Sequence, residues 1–417
     1  MPVNSSISSK RLLCISNGHG EDAIALRILQ ALAQQAPEIE LGAIAMVGEG
    51  AAYRRAGISL VGPTQTLPSG GFIYMDRQQL AKDVGSGLVQ LTWRQIQAAR
   101  AWANQGGVVF AVGDVVPQLV AWLSGANYGA IATAKSEYWL RDELGPLPHR
   151  PWYEGWAGSV FLPWERWLLG HRRCRVAFVR DGITADWLVK TFQIPAVAAN
   201  PMMDGLEPDA QRCEALNSAL GHPDLILVLL PGSRSPECLN NWPPMLRAVD
   251  GVLDSLAATS VGLLAAIAPS LPLADFRAAL TSQGWDPKDE GFCKANGRLL
   301  LVNDGYAECL DVATAAIATA GTATEQVVGL GKPAFTFPGS GPQFTRTFAE
   351  TQGRLLGPSV VLVDHPAEVG PALEACLQDT ERLQQIKVNG RRRLGEPGAA
   401  ETIATHLRQH LIAPGIS

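Results

Sequence analysis

Residues 225–237 read Leu-Ile-Leu-Val-Leu-Leu-Pro-Gly-Ser-Arg-Ser-Pro-Glu, and this stretch narrows the folds open to the chain more than any other. An uninterrupted apolar run this short, ended by Pro-Gly-Ser, is the pattern of a strand buried on both faces of a parallel sheet. The turn after such a strand lies where open α/β sheets bind anionic ligands. Gly232 lets the backbone approach a ligand, Ser235 reads as an N-cap and Pro236 as the first helical residue. Helix N–H groups and the donor fork of Arg234 then face the crevice, as a phosphate requires. The same residues also fit an ordinary β-to-α turn with a surface arginine. No Lys-Ser/Thr pair closes the run, so a nucleotide-hydrolysing P-loop is not indicated.

Length sets the domain count: 417 residues exceed one ordinary core, and two domains follow. A chain 47% hydrophobic and 18% charged is a soluble globular protein leaning apolar, and a net charge of -5 provides no global basic field for nucleic acid. The seven cysteines are scattered without a C-x-x-C pair or metal-ligand spacing, which fits reduced thiols in the cytoplasm and no bound metal. The opening MPVNSSISSK is polar and has no hydrophobic signal region. Between Asp254 and Asp275 a charge-free stretch reaches membrane-spanning length, but Pro269 and Pro272 break it. It reads as a helix end followed by a buried strand at 261–268.

In the first half, strands are expected at 11–16, 41–47, 108–112, 128–134 and 174–179, alternating with helical patterns that include a long one over 78–104 interrupted at 85–87. This alternation is one doubly wound domain. Asn17-Gly18-His19-Gly20-Glu21-Asp22 follows the first strand. A histidine there has a pKa near operating pH and suits acid/base work, or it orders the loop. Asp114 ends the 108–112 strand at the edge from which α/β enzymes present chemistry, or it caps a helix that Pro117 opens.

From Tyr138 to Arg175 the chain carries Trp139, Trp152, Trp156, Trp164 and Trp167 with Arg141, Arg150, Arg166, Arg172, Arg173 and Arg175. Tryptophan beside arginine is the composition of a lipid-interface surface; the alternative is a tryptophan-rich minicore under a long loop.

In the second half, strands are expected at 225–230, 261–268, 299–302, 315–319 and 333–337. After the 315–319 strand comes Ala320-Gly321-Thr322-Ala323-Thr324-Glu325 and a helix to Leu330. Thr322 and Glu325 have capping-box spacing, and a carboxylate at this edge also suits two ribose hydroxyls.

Leu229-Leu230-Pro231-Gly232-Ser233-Arg234 with Glu237, and Gly321-Thr322-Ala323-Thr324-Glu325, strongly resemble the paired motifs of lipid-A-disaccharide synthase, a glycosyltransferase family of the GT-B fold. Gly395-Glu396-Pro397-Gly398-Ala399-Ala400 extends the resemblance over the second half. The first half is looser: Gly113-Asp114 is similar to the family's catalytic aspartate region, and Asn200-Pro201-Met202-Met203-Asp204 to its Gly-His-Pro-Leu-x-Asp. The family's opening Gly-Glu-Ala-Ser-Gly-Asp is replaced by Asn17 to Asp22, and the Pro-Asp-Phe after the catalytic aspartate is absent. The chain most resembles a lipid-A-disaccharide-synthase-related type associated with cyanobacteria.

That resemblance implies a GT-B-like fold of two doubly wound Rossmann-like domains facing a cleft: an acceptor-side domain over 1–205, a nucleotide-sugar domain over 206–395, and a C-terminal helix over 396–417 returning to the first. It implies inverting, metal-independent transfer of a hexose or N-acetylhexosamine from a UDP-sugar to a lipid or glycolipid, with no cofactor. The absence of any Asp-x-Asp triplet agrees with this. Gly232, Ser233, Arg234, Gly321, Thr322, Ala323, Thr324, Glu325 and Gln343 become the donor site, and Asp114 or His19 the base. Trp164, Trp167, Arg172 and Arg173 become the acceptor or membrane contact of a cytoplasmic protein peripheral to the inner membrane. A UDP-sugar 2-epimerase and a non-catalytic nucleotide-sugar-binding protein are the alternatives.

Overall fold

The computed structural model describes residues 11–65, 87–148, 154–339 and 344–412. The chain divides into two units, residues 1–201 with 397–417, and residues 202–396.

Unit one contains β1 (Arg11–Ser16), α1 (His19–Gln35), β2 (Glu40–Ala45), α2 (Ala51–Arg55), β3 (Ser59–Leu60), α3 (Leu88–Asn104), β4 (Val108–Val112), α4 (Val115–Ser124) and β5 (Tyr128–Ala132). A small antiparallel hairpin follows, β6 (Arg141–Asp142) and β7 (Gly145–Pro146), then α5 (Pro163–Leu169), β8 (Cys174–Val179), α6 (Gly182–Phe192) and β9 (Ala196–Ala198). The main sheet runs β3-β2-β1-β4-β5-β8-β9, every pair parallel. Side chains alternate across it with period two. Leu12 and Cys14 meet α1 and Tyr53 on one face, whereas Leu13 and Ile15 meet Ile96 and Ala99 of α3 and Val120 and Ala121 of α4 on the other.

Unit two contains α7 (Ala210–Leu220), β10 (Leu225–Leu230), α8 (Glu237–Ser255), β11 (Val261–Ala266), α9 (Leu273–Ser282), β12 (Asp286–Lys288), β13 (Gly291–Lys294) and β14 (Gly297–Val302). It continues with α10 (Tyr306–Val312), β15 (Ala315–Ala318), α11 (Thr322–Gly329), β16 (Ala334–Thr336), α12 (Arg346–Leu356), β17 (Val360–Leu362), α13 (Val369–Gln378) and α14 (Thr380–Leu394). Its sheet runs β12-β13-β14-β11-β10-β15-β16-β17 and is parallel except at β12–β13 and β13–β14. All six residues of β10 are buried, as a central strand covered on both faces demands. The last helix, α15 (Ala399–Leu407), belongs to unit one and packs on α1.

The α/β class and the doubly wound, two-domain design read from the sequence are those of the structure. Among the described residues no helix is long and apolar enough to cross a membrane. The stretch after Asp254 is indeed a helix end, a turn and β11. Two local expectations are corrected. Pro236 is not the first helical residue: α8 begins at Glu237, with Pro236 in the cap position and no side-chain cap there. Thr322 and Glu325 form no capping box, because the N-cap is Gly321 and Thr322 already lies inside α11. The segment 78–86, Arg150, Trp152 and Gln343 lie outside the described residues.

Candidate functional site

In unit one the strand order reverses direction between β1 and β4, and in unit two between β10 and β15. Crevices at the carboxyl ends of strands flanking such a reversal are where open α/β sheets hold ligands. The four turns singled out in the sequence are the turns after these four strands.

In unit two the β10 and β15 turns are joined by hydrogen bonds. Thr319 N donates to Leu230 O at 3.0 Å and Thr319 Oγ1 to Pro231 O at 3.4 Å. Gly232 has φ of 106°, a left-handed value that favours glycine, and a β-carbon there would sit 3.8 Å from Thr319 O. Ser233 and Arg234 are exposed beside it. The Cys238 amide is occupied by Arg234 O at 2.9 Å, so the first turn of α8 presents fewer N–H groups than a helix starting at Ser235 would.

On the β15 side, Gly321 is half-buried, Thr322 exposed, Ala323 half-buried, Thr324 buried and Glu325 half-buried. Thr324 Oγ1 donates to Ala320 O at 2.6 Å, which makes Thr324 a brace of the turn. Gln352 of α12 holds the same turn: its Nε2 reaches Ala320 O at 3.1 Å and Gly321 O at 3.2 Å, and the residue is buried. Glu237 Oε1 accepts from Phe344 N at 2.8 Å and so ties the segment after β16 to the start of α8. Gln352 and Glu237 shape the crevice through tertiary contacts that spacing in the sequence does not display.

In unit one, His19 is the first residue of α1. Asp114 N-caps α4, its Oδ1 accepting from Val116 N at 2.8 Å, so the capping role is real. The β1 and β4 turns meet at two glycines. A β-carbon at Gly18 would lie 2.8 Å from Glu21 Oε2, and one at Gly113 would lie 3.2 Å from Glu21 Cγ and would collide with Asn17 Oδ1. Glu21 thus lies over the same strand ends as Asp114, a carboxylate of the Asn17–Asp22 motif to which no role of its own had been assigned. Beneath it, Ser16 Oγ donates to Asp22 Oδ1 at 2.6 Å and lies 2.6 Å from the Tyr53 hydroxyl, all three residues being buried. With the Ser16 proton directed at Asp22, Tyr53 donates to Ser16. Burial pushes the Tyr53 hydroxyl pKa well up, which keeps it a donor at any working pH. This chain holds the first turn of α1 against the end of β1.

The Trp/Arg segment divides between its two readings. Tyr138, Leu140, Phe161, Leu168 and Leu169 are core, and Arg141 and Arg166 stack on Trp187 and Phe192 at 3.4 and 3.9 Å. Arg173 donates to Trp122 O at 2.9 Å and to Ala126 O at 3.4 Å, at the C-terminal end of α4. Trp156, Trp164 and Trp167, by contrast, are 68%, 53% and 51% exposed, and Arg172 is exposed. Among the described residues no group of three or more His, Cys, Asp or Glu side chains is placed to hold a metal ion.

No family model and no curated protein matches the chain. Solved structures do match in fold. MurG from Acinetobacter baumannii aligns over 96% of this chain and 99% of its own at 14% identity, with a TM-score of 0.56. CalG4, the calicheamicin glycosyltransferase, aligns over 96% and 98% at 18% identity and 0.57. The UDP-GlcNAc 2-epimerase from Neisseria meningitidis bound to UDP-GlcNAc aligns over 96% and 100% at 12% identity and 0.55. The chain has the GT-B fold.

Proposed function

We propose that the chain is a glycosyltransferase that moves a hexose or N-acetylhexosamine from a UDP-sugar to a lipid or glycolipid, as in lipid-A-disaccharide synthase. The observation that carries this reading is the stitching of the Gly232–Arg234 turn to the Gly321–Glu325 turn at the switch point of unit two. A glycine-lined approach with an exposed arginine meets the needs of a diphosphate, and a half-buried carboxylate one strand away meets those of a ribose. The resemblance of both motifs to the synthase family, and the neighbour crystallised with UDP-GlcNAc, support UDP as the carrier.

In an inverting transfer a base on unit one, Asp114 or His19, takes the proton of the acceptor hydroxyl. That oxygen forms its bond to the anomeric carbon while the bond to the diphosphate breaks, and UDP departs with the electron pair. Arg234 and the Gly232–Ser233 backbone stabilise the departing charge without a metal or cofactor. The acceptor is placed on a membrane by the exposed Trp164 and Trp167 beside Arg172, and the site of action is then the cytoplasmic face of the inner membrane.

UDP-sugar 2-epimerisation is the second reading, because an epimerase shares the fold; a non-catalytic nucleotide-sugar binder is the third. Turnover of UDP-sugars with a lipid extract separates them: transfer supports the proposal, a 2-epimer replaces it with the second reading, and binding without turnover with the third. Arg234→Ala and Glu325→Ala are each expected to weaken UDP-sugar binding by about 1–3 kcal/mol, read by calorimetry. Unchanged affinity in both folded variants removes the donor-site assignment.

A further inference from the structure

The helical layer α3–α4–α5 of unit one carries much of the exposed apolar surface. Val89 and Trp93 of α3 are 65% and 54% exposed, Leu119 of α4 is 43%, and Trp164 and Trp167 of α5 exceed half. The opposite layer, α1, α2 and α15, has no exposed large hydrophobic among its described residues. The three helices are one continuous surface. Arg100 Nε of α3 donates to Leu123 O of α4 at 3.0 Å, and Trp122 of α4 stacks edge-on against Trp167 of α5 with centroids 5.1 Å apart.

Exposed charge on these three helices has one sign, although the chain as a whole is at -5. Residues 84–113, 115–136 and 166–180 contain no Asp or Glu. The one carboxylate on the three helices, Glu165, is buried and paired with Lys135 at 2.6 Å. Arg94, Arg100 and Arg172 are exposed around the tryptophans. An ordinary solvated helix face mixes charges of both signs and does not expose three tryptophans.

We propose that this layer lies flat on a bilayer containing anionic lipid, with Trp93, Trp164 and Trp167 in the headgroup region and Arg94, Arg100 and Arg172 against lipid phosphates. Interfacial tryptophan supplies the apolar part of the binding and arginine the screened Coulombic part, so attachment is reversible and weakens with salt. The inference rests on the lipid-acceptor reading for its purpose, but vesicle binding is measured without UDP-sugar, so either can fail alone.

The test is co-sedimentation of the full chain with phosphatidylcholine vesicles, with and without phosphatidylglycerol. Three variants are compared with wild type: Trp93→Ser/Trp164→Ser/Trp167→Ser, Arg94→Glu/Arg172→Glu, and Val388→Ser as an exposed apolar control in unit two. Thermal midpoints confirm folding. Arg94 and Arg172 are chosen because Arg100 and Arg173 also bind backbone carbonyls of the fold. Wild type and Val388→Ser are expected to bind the anionic vesicles at low salt, with both multiple variants weaker by about tenfold or more. Three results overturn the proposal: equal sedimentation of wild type and the folded multiple variants, no preference for phosphatidylglycerol, or a wild type that self-associates through this face and ignores vesicles.

Discussion

Asp114 shows how one carboxylate can look structural and chemical together. One oxygen caps α4, which an asparagine does equally well and an alanine does not. Asp114→Asn is therefore expected to keep the thermal midpoint, whereas Asp114→Ala loses about 1 kcal/mol. If Asp114 is the base, Asp114→Asn also lowers sugar transfer by about 10²–10⁴-fold at unchanged UDP affinity. Should Asp114→Asn transfer at the wild-type rate, the base is His19 or Glu21, whichever of His19→Ala and Glu21→Gln abolishes transfer. The cap that Asp114 makes was legible from its place after a buried strand. Glu21 was not, because its significance arises only when β1 and β4, distant in sequence, become neighbours and Gly18 and Gly113 leave room over their ends.

At the scale of elements, buried parallel strands were the most legible part of the chain, since burial on both faces makes each a short apolar block. β1, β4, β8 and β10 lie where their residues indicated. The hairpins β6–β7 and β12–β13 and the edge strands β9 and β17 have only two to four residues each, too few to show a period. Helix starts also escaped: the turns before α8 and α11 are shaped by contacts between strands, which override local capping propensity. Gln352 is the clearest instance, an interior residue of α12 whose amide holds the carbonyls of Ala320 and Gly321. Gln352→Ala frees that turn without touching Arg234 or Glu325. The expected result is a UDP-sugar KM raised about tenfold with kcat little changed, since each lost hydrogen bond at a buried site costs about 1 kcal/mol or more. An unaltered KM in a stable variant would show that the turn keeps its shape without the brace.

The whole molecule is less simple than two consecutive domains, because the chain leaves unit one at Pro201 and returns to it at Pro397. The returning α15 is part of the unit-one core: Ile403 and Leu407 of the helix are fully buried, as are Leu411 and Ile412 just beyond it to within 3%. Gln35 at the end of α1 donates through Nε2 to Glu401 O at 3.0 Å and accepts from Thr405 Oγ1 at 3.1 Å. Burying four such side chains contributes about 1.5–3 kcal/mol each, a sum comparable with the about 5–15 kcal/mol that holds a typical domain folded. Ending the chain after Gly395 therefore removes as much as the net stability of unit one, while the core of unit two, built from β10, α8, β11 and their neighbours, contains no residue of the deleted helix. Hydrogen exchange on the truncated protein is expected to show β1, β4 and β5 unprotected and β10, β11 and β15 still protected. Protection of β1 and β4 equal to that in the full chain would mean that α15 covers unit one without stabilising it.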